Sequence, residues 1–134
     1  MAWAHCLASR LTVFHVKHPP ILTITLPDVC PPSWNKFYAG MHWSERKRIA
    51  DEAHTLIRCY LPFDWQPIAG PVAIRYDAYQ VHPQDPDNIA SKLYTDGLVA
   101  AGVLLSDDWR HVRAVTTATH TATANYLVIT ILRA

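Results

Sequence analysis

Residues 72–108, VAIRYDAYQVHPQDPDNIASKLYTDGLVAAGVLLSDD, carry the change of hydrophobic period that decides the fold. In the first part Val72, Ile74, Tyr76 and Ala78 alternate with Ala73, Arg75, Asp77 and Tyr79, the two-residue period of a β-strand. Past Pro83 the period lengthens. Asp85 suits a helix cap, Pro86 a first helical position and Gly102 a left-handed end, so a helix is predicted between them. Ile89, Leu93, Leu98 and Ala101, with Ala90, Tyr94 and Gly97 beside them, form its apolar side, and Lys92 and Asp96 lie four apart on the other. Roughly 15 helical residues from Asp87 would carry the chain about 23 Å, so the following strand must bring Asp107 and Asp108 back toward Asp87.

Working outward, Ile21 to Leu26 is a short β-branched and apolar run ended by Pro27, a first strand. Asp28 to Gly40 reads as a loop dense in turn formers and aromatics. Ser44 is placed to cap a helix whose apolar face is Ile49, Ala53, Leu56, Ile57 and Tyr60, stopped by Pro62. His111 to Thr119 and Tyr126 to Leu132, rich in Val, Thr and Ile, are two further strands joined by a short turn near Thr121 to Ala124. The order βαβαββ implies an α+β domain, a single mixed sheet covered mainly on one face by two helices.

With 134 residues, 50% of them hydrophobic and 17% charged, the chain has the size of one domain and the composition of a packed one. No apolar run approaches the roughly 20 residues that cross a bilayer. His5, Arg10, His15, Lys17 and His18 interrupt the opening segment, so residues 1–20 read as a leader extension without a secretory core, and residues 21–134 as the domain. Cys6, Cys30 and Cys59 are odd in number and widely spaced, which disfavours a disulfide framework and makes a reducing cytoplasm the expected compartment. The eight histidines form no zinc-binding spacing.

Charge is unevenly distributed. Residues 85–108 contain five aspartates against one lysine, a net −4 in a chain of net +1, which leaves +5 elsewhere. Such a chain can bind a cation locally and hold a polyanion around it, although a solvated acidic helix has the same composition. Asp85 alone is explained as a cap, and Asp107-Asp108 alone as a turn. Asp87 is less easily dismissed, because two carboxylates two residues apart repel one another unless a hard cation lies between them.

Jointly, these residues resemble the RusA-type Holliday-junction resolvases, a family common in phages and prophages. The pattern is Asp85, Asp87-Asn88, Lys92, Asp96, Gly102 and Asp107-Asp108, preceded by ITLPDVCPPSWNKFY with its Pro-Pro-Ser-x-Asn loop, and it extends over about residues 21–132. Lys92 stands five residues after Asp87, where the family pattern has four, a difference of about 100° on a helix.

The resemblance implies a dimeric, magnesium-dependent, structure-selective endodeoxyribonuclease that resolves four-way junctions by paired nicks, with manganese able to substitute. It assigns Asp85, Asp87 and Asp108 to the metal, with Asp107 as substitute for Asp108, and Lys92 to the phosphate. Asp96 is expected to pair with Lys92. For DNA contact the sequence offers Lys36, Arg46, Lys47 and Arg48, near Trp34, Phe37, Tyr38 and Trp43. Two alternatives remain open at this stage: a junction-binding protein without cleavage, and a metal-dependent phosphohydrolase acting on a small substrate.

Overall fold

The alternating run at Val72 becomes β2 (Val72–Gln80), the strand around which the sheet is built. In this computed structural model, which describes residues 19–134, β1 (Leu22–Pro27) precedes it and β3 (Val112–Thr121) and β4 (Tyr126–Arg133) follow. Residues 1–18, most of the expected leader, lie outside the described residues. The protein is α+β with one mixed four-stranded sheet, ordered β1-β4-β2-β3. β4 runs antiparallel to both β1 and β2, whereas β2 and β3 are parallel.

That order corrects the hairpin expected for the last two strands. β3 and β4 do not pair, because β2 lies between them, and residues 122–125 cross over its end. The crossing is tied down there: the Ala122 N–H donates to the Gln80 carbonyl at 3.0 Å, and the Val81 N–H to Asn125 Oδ1 at 2.9 Å. β3 is left as an edge strand.

Two helices, α1 (Trp43–Cys59) and α2 (Lys92–Ala100), cover one face of the sheet. Ile24, Leu26, Ile74, Tyr76, Leu127, Ile129 and Ile131 meet Ile57, Leu93, Tyr94 and Leu98 in a single core. Burying the Tyr76 hydroxyl requires a partner, and Thr95 Oγ1 supplies one at 2.7 Å. The helices approach closely at Gly97, where a Cβ would stand 2.7 Å from Ile57 Cδ1.

The helix boundaries differ from the sequence expectation. α1 starts at Trp43, and the residue that caps it is His42, whose Nδ1 accepts the Ser44 N–H at 3.2 Å. α2 starts at Lys92, six residues after Pro86. Asp85 does precede a turn, but it is a 3₁₀ turn, Pro86–Asn88, and the Asp85 side chain makes no cap bond. Ile89 is extended (ψ 121°) and bridges to Ser33, and the Ala90 N–H donates to the Pro32 carbonyl at 3.0 Å. That tertiary bond takes the N–H which a continuous helix would have sent to Pro86, so the helix cannot begin before it. Gly102, at φ +79°, ends α2 in the left-handed conformation expected of it. Within the expected loop 28–40 the chain also makes a π-helical turn, Asn35–Ala39, which buries Phe37.

Candidate functional site

Because α2 starts late, Lys92 stands on its first turn rather than midway along a longer helix. The angle inferred from counting helical residues after Asp87 therefore does not apply. Its Nζ lies 3.1 Å from Asp96 Oδ1, one turn on, and 2.9 Å from Asp107 Oδ2, brought back by residues 101–107 after the helix ends. Asp107 foremost, with Asp96, raises the Lys92 pKa, and the ammonium in turn holds Asp107 below its usual range. All three side chains are substantially exposed, so this is a solvated cluster whose pairing is weak and exchangeable.

Asp108 is held differently. Its Oδ1 accepts the backbone N–H groups of Arg110 (3.0 Å) and His111 (3.3 Å) and lies 2.7 Å from His111 Nδ1. The His111 contact is the main reason its pKa is lowered. The Asp108 carbonyl also accepts from His111 and Val112, so this residue opens the turn that leads into β3. Of the adjacent aspartates, then, Asp107 faces Lys92 and Asp108 organises its own turn.

Asp85 and Asp87 are exposed, and neither takes part in an ion pair among the described residues. Their turn is fixed from behind. Gln84 Nε2 donates to the Pro31 carbonyl at 2.8 Å, its N–H donates to buried Gln80 Oε1 at 3.0 Å, and Ala90 is tied to Pro32. The Pro-Pro-Ser loop and the acidic turn, about 50 residues apart in sequence, thus form one structural unit.

The residues expected to contact DNA are dispersed. Lys36 is exposed on the π-helical turn, with its N–H bonded to Ser33 Oγ at 3.2 Å. Lys47 pairs with Asp51 at 2.8 Å, and Arg48 with Glu52 at 2.6 Å and with Glu45. Arg46 is half-buried, and its Nε has no partner among the described residues. Lys47 and Arg48 are therefore matched by acids of their own helix, the ordinary arrangement of a solvated helix face.

Two clusters were not singled out from the sequence. On the sheet face away from the helices, Asp77 accepts two bonds from Arg75 (2.9 and 3.0 Å) and lies 2.7 Å from His120 Nε2. Burial pushes the Asp77 carboxyl up, but the Arg75 and His120 contacts outweigh it and leave the pKa lowered. Tyr79 stacks between His120 and Tyr126 on the same face. The other cluster is Trp109 with Arg110 and Arg113, whose guanidinium carbons lie 5.5 and 5.6 Å from its ring centroid. The alternation of β2 marked Arg75 and Asp77 as facing one way, but only the parallel pairing with β3 brings His120 to them.

As a donor set, Asp85 and Asp87 suit a hard cation, since magnesium needs only one or two carboxylates beside water and phosphate. No group of three or more His, Cys, Asp or Glu side chains is gathered as a metal site among the described residues. No family model matches the chain, and no curated protein is significantly similar to it.

Proposed function

We propose that the chain is a magnesium-dependent, structure-selective endodeoxyribonuclease acting on four-way DNA junctions as a homodimer. The observation that supports the reading is the contact of Lys92 with Asp107, 15 positions on, which joins the lysine of the resemblance to its Asp107-Asp108 pair, while Lys92 follows the acidic turn Pro86–Asn88 by four residues. Asp85 and Asp87 would hold the metal, with Asp108 as the third carboxylate. Bound there, magnesium lowers the pKa of a water and polarises the phosphodiester.

The chain's own residues account for the rest. An incoming phosphate competes with Asp96 and Asp107 for Lys92, whose ammonium then offsets charge on the phosphoryl oxygens. Cleavage leaves a 5′-phosphate and a 3′-hydroxyl. A twofold dimer sets one site on each of two opposed strands, which matches the near-twofold symmetry of a junction.

The engagement of Asp108 Oδ1 by Arg110 and His111 of its own turn favours a second reading, junction binding without cleavage. One experiment separates the two. With magnesium, the wild type should nick a synthetic four-way junction and spare linear duplex, whereas Asp87→Asn should lose on the order of 100-fold or more in rate yet bind the junction normally. Junction binding without nicking by the wild type would establish the second reading, and near-normal cleavage by Asp87→Asn would sink the metal assignment.

A further inference from the structure

We infer that Trp109, Arg110 and Arg113 form a binding site for an unpaired nucleotide strand, a base resting on the indole and flanking phosphates on the guanidiniums. This deepens the endonuclease reading and rests on it only for the identity of the natural substrate.

The site begins with a turn that cannot easily rearrange. Asp108 accepts backbone hydrogen bonds from the residues that follow it, at its side chain from the Arg110 and His111 N–H groups and at its carbonyl from the His111 and Val112 N–H groups. The turn so fixed displays Trp109, which is 68% exposed although it is among the largest apolar side chains of the protein. An exposed tryptophan on a rigid turn forfeits the burial that usually accounts for the residue. Both guanidiniums lie over its ring, 5.5 and 5.6 Å from the centroid, and the residue remains largely exposed beside them.

Their charges are available as well. Among the described residues Arg113 has no ion pair, and Arg110 has one long one, 3.8 Å from Asp108 Oδ2, on a carboxylate whose Oδ1 is held by His111. On α1, by contrast, Lys47 and Arg48 are matched by acids. The local combination is thus an exposed indole with two guanidiniums over it, one without an ion pair among the described residues and one only loosely paired, beginning one residue after the Asp107-Asp108 pair.

Charge chooses the occupant. A second copy docking the same patch about a twofold would bring four guanidiniums together, and an apolar partner would strip their water without returning an acid. A nucleotide strand supplies both missing complements, phosphate for the cations and a base for the ring. It must be unpaired, because a base stacked within a duplex does not present its face. Such strands occur where duplexes branch, next to the phosphodiester that the acidic segment would cut.

The test uses the full-length chain in EDTA, so that binding is read without metal or cleavage, with a fluorescent oligothymidylate of about 12 nucleotides, within the size range of single-stranded sites. Trp109→Ala should weaken binding about tenfold, and Trp109→Phe should restore most of the loss, as stacking requires and a general structural defect would not. Arg110→Gln and Arg113→Gln should each lower the slope of log affinity against log salt by about 0.7. Unchanged affinity in Trp109→Ala would overturn the inference, as would an unchanged salt slope in the arginine variants. So would a Trp109→Ala variant that keeps its affinity but sediments as a smaller species than the wild type, which would make the patch a self-contact. Wild-type protein that binds the oligonucleotide through Trp109 but never nicks a junction would remove the nuclease reading and leave this one standing.

Discussion

Lys92 is poised between two functions that a substitution can separate. As a structural residue it pairs with Asp96 and Asp107, but all three side chains are well exposed, so the pairs contribute under about 1 kcal/mol. As an electrostatic donor to a phosphate it would contribute far more in the transition state. Lys92→Ala should therefore melt close to the wild type while its single-turnover cleavage rate falls on the order of 100-fold. Lys92→Arg should recover only part of the rate, since a planar guanidinium does not reproduce a point-like ammonium. Full activity in Lys92→Ala would strike the residue from the mechanism. The pairing of this lysine with Asp96 at a spacing of four was legible in the sequence. Its contact with Asp107 was not, because it spans 15 positions and depends on where the helix stops.

Among the elements, α2 shows where local reasoning succeeds and where it is overridden. Its apolar face and its glycine end follow from side-chain period and backbone sterics, and both are observed. Its start is set elsewhere, by hydrogen bonds from the Ile89–Ala90 backbone to the Pro32–Ser33 loop, which no local propensity encodes. Gly97 belongs to the same argument. Helix propensity alone predicts that Gly97→Ala stabilises the protein by about 1 kcal/mol. The close approach of α1 predicts the reverse, since the added methyl would sit 2.7 Å from Ile57 Cδ1 and 3.1 Å from His54 Cδ2, and Ile57, fully buried, would have to shift its Cδ1 within the packed core. Overpacking of this kind costs about 1–3 kcal/mol, so chemical denaturation should show Gly97→Ala destabilised by about 1 kcal/mol net. A stabilised variant would mean that the helices can move apart.

For the whole molecule, the concentration of acid in residues 85–108 should make stability respond to divalent cations. A cation that binds the folded state alone, at about 100 times its dissociation constant, adds about 2.7 kcal/mol, enough to raise the melting temperature by several degrees. Magnesium should produce this shift in the wild type and much less of it in Asp87→Asn, and an equal shift in both would show that Asp87 is not a ligand. What the sequence determined by itself is the inventory of elements: the α+β class, four strands, two amphipathic helices and the acidic segments, because side-chain period, proline and glycine act over a few residues at a time. Only the tertiary structure decided that β4 inserts between β1 and β2, that the Pro31–Ser33 loop buttresses the acidic turn, and that Asp107 rather than Asp108 faces Lys92. It alone decided, too, that Lys47 and Arg48 are matched by acids while Arg113 carries no ion pair among the described residues. Each of these outcomes is a choice between partners distant along the chain, settled by which backbone groups must be hydrogen-bonded once the core closes.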